Sequence, residues 1–332
     1  MTRWLVTGAT GFIGRAVADR LLARGDRVRV LVRDPARGRV LAAAGAELAE
    51  GDVSRPETLA AAVDGAELVV HVAGIVKAVG HEELFRVNAG GARALARAAA
   101  GARGRPPFLL VSSLAAAGPA RPGRPRREED EPAPVSAYGE SKLAAEDALR
   151  ELAGRLEATV VRPPAVYGPR DPEFLPALLR MARTGVVWKA GFADKRYSVV
   201  HVEDLADAVV RAAEGGKRLG RAGSEGIYFA DDGVARTWGE LGRAALAALG
   251  RRGVVVPIPE AVSWLLAGAA TAASRVTGQA AILSLDKMRE IREAAWTCSS
   301  ERARRELGWE PRWGLDEGMR QSVEWLRGAG RA

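Results

Sequence analysis

The sequence predicts an α/β protein, a doubly wound parallel sheet covered by helices on both faces, with a smaller C-terminal substrate-binding domain. Three observations predict it. Short β-branched runs alternate with Ala-, Leu- and Arg-rich helical runs over roughly the first 110 residues. The strand runs are apolar on successive residues, the pattern of strands buried on both faces. A glycine-rich turn joins the first strand to the first helix.

Each element follows in order. Residues 4–7 read as the first strand, and 13–24 as a helix ended by Gly25. Residues 27–32 are the second strand, 35–44 a helix opened by Pro35, and 47–50 a short third strand. Residues 56–63 are helical, and 68–72 form a strongly apolar strand. A long helix at 81–100 and a strand at 108–112 complete the alternation. Crossovers of this kind are right-handed, and the ligand lies at the carboxyl ends of the strands where their order reverses. Residues 115–134 break the rhythm, with prolines and glycines among Arg124, Arg126, Arg127 and the acidic run 128–131. A loop of that length inside a domain is uncommon and often functional. Two readings stay open: it borders the site, or it is a passive solvated excursion. The dinucleotide-binding domain spans 1–167, with 196–225 returning to it. Residues 168–195 and 226–332 form the substrate-binding region.

Composition narrows the class. The 332 residues are 48% hydrophobic, enough for a large core. The lone cysteine, Cys298, excludes an internal disulfide, fits a reducing, cytoplasmic setting and reads as structural. The net charge of +8 comes from 43 arginines and only six lysines, scattered among acids with no aromatic-interleaved stripe. That argues for a solvated basic surface and against a nucleic-acid partner. No signal-peptide core is visible, because Met1 runs straight into the first strand. The charge-free stretch 261–274 is shorter than the roughly 20 residues a membrane span needs, so no integral span is expected. It reads as a buried helix, with a greasy pocket wall or a membrane-surface contact as alternatives. His71, His81 and His201 have no partners at metal-ligand spacing, so no metal is expected.

Two groups of residues carry chemistry. Thr7-Gly8-Ala9-Thr10-Gly11-Phe12-Ile13-Gly14 joins strand to helix with G-x-x-G-x-x-G spacing, rather than G-x-G-x-x-G. Gly8 permits a tight turn, Gly11 lets a pyrophosphate approach the backbone, and Gly14 lets helix and strand pack closely. The helix N-terminus offers unpaired N–H groups and partial positive charge to phosphates. Further on, Tyr138 and Lys142 lie four apart, on one face of a helix over 138–151. A phenol of pKa about 10 is a poor base at neutral pH. A neighbouring ammonium is expected to lower that pKa toward the useful range.

On these residues the chain resembles the extended branch of the short-chain dehydrogenase/reductase superfamily, whose members open on this TGATGFIG form. The resemblance continues through Tyr138-Gly139-Glu140-Ser141-Lys142, Arg162-Pro163-Pro164-Ala165-Val166-Tyr167-Gly168-Pro169, Val200-His201-Val202-Glu203-Asp204 and the tail 303–313. It implies a Rossmann-type fold and a nicotinamide dinucleotide held by Gly8, Thr10, Gly11, Phe12, Ile13 and Gly14. It places Asp52 and Val53 at the adenine, Ala73 and Gly74 beside the dinucleotide, and Asn88 at an N-x-x-G step. Pro163 to Val166 would run past the carboxamide, and Lys142 would also hold the nicotinamide ribose. It makes Ser113, with Ser112 as fallback, the hydroxyl that bonds the substrate oxygen while Tyr138 exchanges a proton with it. It also implies a homodimer paired through the helices bearing Asn88 and Tyr138.

The end of the second strand bears on the cofactor. Val32-Arg33-Asp34-Pro35 puts no acid at the strand end for ribose hydroxyls, and Arg33, with Arg37 as a second clamp, suits a 2′-phosphate. NADP(H) is therefore preferred over NAD(H), with Asp34 the residue that weakens the case. Fold alone does not choose the reaction. Leu114-Ala115 follow Ser113 where dehydratases carry an acidic pair, which argues against dehydration. Apolar residues 264–266, with Ile258 and Val262, lean toward a hydrophobic small-molecule substrate, resembling the 3-beta-hydroxysteroid dehydrogenase and dihydroflavonol reductase relatives. The expectation is an NAD(P)-dependent oxidoreductase transferring hydride at a secondary alcohol or ketone. Two alternatives stand beside it. One is a nucleotide-sugar epimerase with tightly bound NAD, where Arg170 and Arg196 would meet phosphates. The other is a non-catalytic NADP-binding redox sensor, against which the presence of Tyr138 and Lys142 argues.

Overall fold

Seven strands, all parallel, build the central sheet of the computed structural model, which describes residues 1–281 and 284–328. They are β1 (Arg3–Thr7), β2 (Arg27–Val32), β3 (Glu47–Glu50), β4 (Leu68–His71), β5 (Phe108–Val111), β6 (Ala158–Arg162) and β7 (Ile227–Phe229). Their order is β7-β6-β5-β4-β1-β2-β3, so the order reverses between β1 and β4. That is the doubly wound arrangement the alternation predicts, with its crevice at the carboxyl ends of β1 and β4. The sheet takes its edge strand β7 from beyond residue 225, the point at which the sequence ends the return to this domain.

Alternate residues of each strand feed two separate cores, which is why the strands are apolar throughout. Trp4, Val6, Val28, Val30, Leu109 and Val111 pack on one face under α1 (Phe12–Ala23) and a helix at Val202–Gly215. Leu5, Leu31, Val69, Phe108 and Leu110 pack on the other, under helices at Gly91–Gly101 and Ala137–Arg150. A third core holds the C-terminal lobe, with Tyr167, Leu175, Leu178, Val187, Leu241 and Met319. The tail is pinned to the Val202–Gly215 helix by Asp204. Its carboxylate accepts from the Arg312 and Trp313 backbone N–H groups at 3.0 Å, and its carbonyl accepts from buried Trp309 Nε1.

Three expectations change. The helix at 81–100 is α-helical at His81–Leu84 and Gly91–Gly101, with a π-helical turn at Phe85–Gly90 between them. The segment 115–134 is no passive excursion. Ala115, Ala116, Ala117 and Ala120 are buried, and Ala120 and Arg126 donate backbone hydrogen bonds to Ala295 and Thr297. Glu128, also buried, accepts from the Phe229 N–H at 2.9 Å. The charge-free stretch forms a helix at Glu260–Thr277, but it is not a buried one: Val262, Leu265, Leu266 and Val276 face solvent. Its inner contacts are made by Ser263, Ala267 and Ser274, so the apolar side chains that suggested burial point outward.

Candidate active site

The turn after β1 is shaped by close backbone approaches that admit only glycine. Gly8 has φ of +72°, and a Cβ there would lie 2.7 Å from the Ala73 nitrogen. A Cβ on Gly14 would lie 2.3 Å from the Gly8 carbonyl oxygen, so α1 sits directly on the turn. At Gly11, the N-cap of α1, the nearest atom to such a Cβ is the Gly8 oxygen at 3.3 Å, and no side chain caps the helix. The first-turn N–H groups of α1, at Phe12, Ile13 and Gly14, therefore point out of a cradle floored by backbone, as a dinucleotide pyrophosphate requires. Thr10, in the same turn, is exposed.

Across the crevice, Thr7 Oγ1 bonds both His71 Nδ1 at 2.7 Å and the Ala73 N–H at 3.2 Å, fixing the start of the loop after β4. Burial, and then the charge of Lys142, push His71 down to about 3, so it is a neutral core residue. Asn88 sits in the π-helical turn. Its amide accepts from the Ile75 N–H at 2.9 Å and donates to the Ile75 carbonyl at 3.0 Å and to Ser141 Oγ at 2.9 Å. It thus clamps the 73–76 loop to the helix of Tyr138. A Cβ on Gly74 would come 2.9 Å from Asn88 Oδ1. Single-turn π-bulges often mark functional sites.

At the far side of the sheet, Arg33 is exposed and Asp52 is close enough to feel its charge. Asp52 accepts from the Ser54 N–H and hydroxyl, and Val53 packs against Gly91. Asp34 is the N-cap of the helix Pro35–Ala43, accepting from the Ala36 N–H at 2.9 Å. One oxygen of its exposed carboxylate thus has a structural partner.

Ser112 and Ser113 follow β5 and take different roles. The Ser112 N–H and the Leu114 N–H donate to Val161 and Pro163 carbonyls at 2.8 Å, holding the Pro163 to Val166 segment beside Ser113. Ser112 is buried and donates to Glu146 Oε1 at 2.5 Å. Ser113 instead lies near enough to the Tyr138 hydroxyl to oppose the upward shift of its pKa, and it caps the short helix Leu114–Ala117. The structure brings Ser113 and Tyr138 together and turns Ser112 away.

Gly139 explains how. A Cβ there would lie 2.4 Å from the Ala115 carbonyl oxygen, so the backbone beside Tyr138 rests on the turn that follows Ser113. Gly139→Ala is expected to pry these elements apart. A displacement near 1 Å at reacting groups can cost about 10²-fold in rate. The expected result is a large fall in kcat with dinucleotide affinity within about twofold; an unchanged kcat would show that this contact does not set the geometry.

One electrostatic expectation is corrected. Lys142 donates from Nζ to the Val111 carbonyl at 2.7 Å, and it is not among the groups acting on Tyr138. Burial dominates the phenol, with Ser113 opposing it and Glu290 and Glu173 assisting, and pushes it up to about 12 rather than down. Burial likewise lowers Lys142 to about 8, with Glu146 opposing.

Glu146 was not singled out from the sequence. It lies one further step of four beyond Tyr138 and Lys142, and that spacing was the available signal. It is fully buried and grips Arg162 with two bonds, Nε to Oε1 at 2.9 Å and Nη2 to Oε2 at 2.5 Å. Arg162 Nη1 is buried without a partner, and the guanidinium lies over the Phe229 ring. The remaining residues fall elsewhere. His201 stacks on Trp313 in the C-terminal lobe, buried Cys298 packs on Phe229 and Leu114, and Arg170 pairs with Asp19. Among the described residues no cluster could hold a metal ion, and no helix is long and apolar enough to cross a membrane.

Residues 4–223 match the NAD dependent epimerase/dehydratase family. The chain is 38% identical to the ceramide reductase of Caulobacter vibrioides, over 98% of this chain and 94% of that one. It is 32% identical, over 70% of this chain and 69% of the other, to a ketoreductase of Stigmatella aurantiaca that acts on a farnesyl dihydroquinoline oxide. In structure it superposes on the NAD complex of UDP-glucose 4-epimerase from Thermus thermophilus with a TM-score of 0.76 and 26% identity, covering 99% and 100% of the two chains.

Proposed function

The chain belongs to the NAD-dependent epimerase/dehydratase family, and from that premise we propose that it reduces a ketone on a hydrophobic, acyl-chain-bearing substrate with NADPH. The observation that carries this reading is the Ser113–Tyr138 hydroxyl pair, with the phenol held at about 12 and so protonated at neutral pH. The protonated phenol is the donor that a ketone reduction uses. A bound nicotinamide would supply the hydride. The chain's own residues do the rest. Ser113 and Tyr138 donate to the substrate oxygen, stabilise the negative charge that develops there, and Tyr138 delivers its proton. Lys142, held by the Val111 carbonyl and close to Gly74, would hold the nicotinamide ribose, and Asn88 fixes the loop on which the dinucleotide would lie. Residues 168–195 and the C-terminal lobe take the substrate, and the identity to a ceramide reductase supports an acyl-chain substrate. The absence of an acid at Leu114 or Ala115 speaks against dehydration.

NADPH is supported by exposed Arg33 at the end of β2. The freshly purified chain, denatured and assayed by mass spectrometry, is expected to release less than stoichiometric dinucleotide. It is then expected to bind NADPH about tenfold or more tighter than NADH, a gap that Arg33→Ala narrows. Stoichiometric NAD would overturn the reading in favour of an epimerase, which recycles its own hydride. A survey of long-chain ketones with NADPH tests the substrate class, and activity confined to nucleotide sugars would sink it.

A further inference from the structure

We propose that the helix Glu260–Thr277 is a lipid-docking element that lies in the plane of a membrane surface beside the active-site mouth. Its amphipathicity is inverted. Every exposed position described on it except its last residue, Thr277, is apolar, with Val262 44%, Leu265 74%, Leu266 53% and Val276 88% exposed and alanines between them. Its protein-facing side carries Ser263, Thr271 and Ser274 beside Ala267 and half-buried Trp264, and Ser263 Oγ is buried without a partner. A helix that only completes a water-soluble fold puts these faces the other way round.

The orientation is fixed by polar contacts rather than left to chance. Buried Lys195 bonds Glu260 at one end of the helix, at 2.7 Å, and the Ile291 carbonyl at 2.6 Å. Thr271 Oγ1 accepts from the Leu285 N–H at 3.0 Å, tying the helix to the next one, Leu285–Arg292. That second helix supplies the charge. Its exposed charged residues, Lys287, Arg289 and Arg292, are all basic, with Lys287 and Arg289 pairing along the helix with the less exposed Glu290 and Asp286. Glu290 accepts from Ser136 Oγ at 2.6 Å, and Asp286 accepts from the Ala137 N–H at 3.0 Å. A row of apolar side chains flanked by exposed cations is the complement of an anionic lipid surface.

The same two acids place the element at the site, because Ser136 and Ala137 open the helix that carries Tyr138. A surface helix about 27 Å long thus sits one helix away from the reacting hydroxyl. Its use, collecting an acyl-chain ketone from the bilayer, rests on the function proposed above; the docking itself does not need substrate and is read separately.

The full chain is floated with vesicles of phosphatidylglycerol and phosphatidylcholine, beside the double variant Leu265→Asp/Leu266→Asp, and both are sized by light scattering. The expected result is flotation of the wild-type chain, reduced about tenfold or more in the variant, with equal masses for the two. NADPH affinity and the far-UV circular dichroism spectrum are expected to be equal in both, which shows the variant is folded. Three outcomes overturn the proposal: a wild-type chain that stays with the protein fractions, a variant that floats equally well, or a wild-type dimer that the variant splits while neither floats. The last would assign the face to a second copy of the chain. Vesicle binding without reduction of any long-chain ketone would leave the docking standing and remove the substrate reading.

Discussion

Replacing Tyr138 with Phe is expected to lower kcat/KM for ketone reduction by about 10³-fold while dinucleotide affinity changes less than about twofold. The substitution removes one oxygen. The ring still fills its place beside Gly139, and Ser113 keeps its backbone position as the cap of Leu114–Ala117. What disappears is the proton donor and one of two hydrogen bonds to the developing oxyanion. Steady-state kinetics and a fluorescence titration with NADPH separate the two effects. A redox sensor would lose nothing, so unchanged behaviour in both measurements would favour that alternative. The pH profile adds a second reading. Because Tyr138 stays protonated up to about 12, it does not produce a basic limb in the usual range. Lys142, held at about 8, does. Its ammonium is present below that pH and lost above it, so kcat/KM for reduction is expected to fall as pH rises through about 8. A profile flat to pH 10 would remove Lys142's charge from the mechanism.

The second large effect is on stability. Glu146→Ala is expected to cost about 3–5 kcal/mol in chemical denaturation, because it leaves the Arg162 guanidinium buried and unpaired. Both side chains are essentially inaccessible to water. Burial opposes the Arg162 charge, but Glu146, with Glu128 and Asp147 assisting, more than offsets it, so its pKa is raised. Replacing both with methionine is expected to restore much of the loss, since a buried pair gains little over apolar packing. Activity should not return with it, because Ser112 loses its acceptor and the base of the Ser113 turn is loosened. A single substitution costing less than about 1 kcal/mol would show that water reaches the pair and that it supports nothing above it.

The sequence by itself determined the sheet, the crevice and the identity of most residues now gathered there. Those features are local. The periodicity of apolar residues selects strand or helix, a glycine is required wherever backbones touch, and a spacing of four puts Tyr138, Lys142 and Glu146 on one helical face. The structure then separated residues that local pattern could not. Ser112 and Ser113 are adjacent in the chain, and only their opposite directions after β5 give one to Glu146 and the other to Tyr138. The Glu146–Arg162 pair and the Asn88 clamp join segments from different strands and helices, with no sequence period to announce them. Proximity along the helix predicts a lowered phenol pKa, but Lys142 turns to the Val111 carbonyl, and burial decides the sign. The apolar run at 261–274 fixed a helix but not which side faces the protein. That depends on what the rest of the chain presents to it, and here Lys195 and the Leu285–Arg292 helix hold its polar side inward. Hydrophobic pattern records that a surface avoids water; tertiary structure decides whether protein or something else covers it.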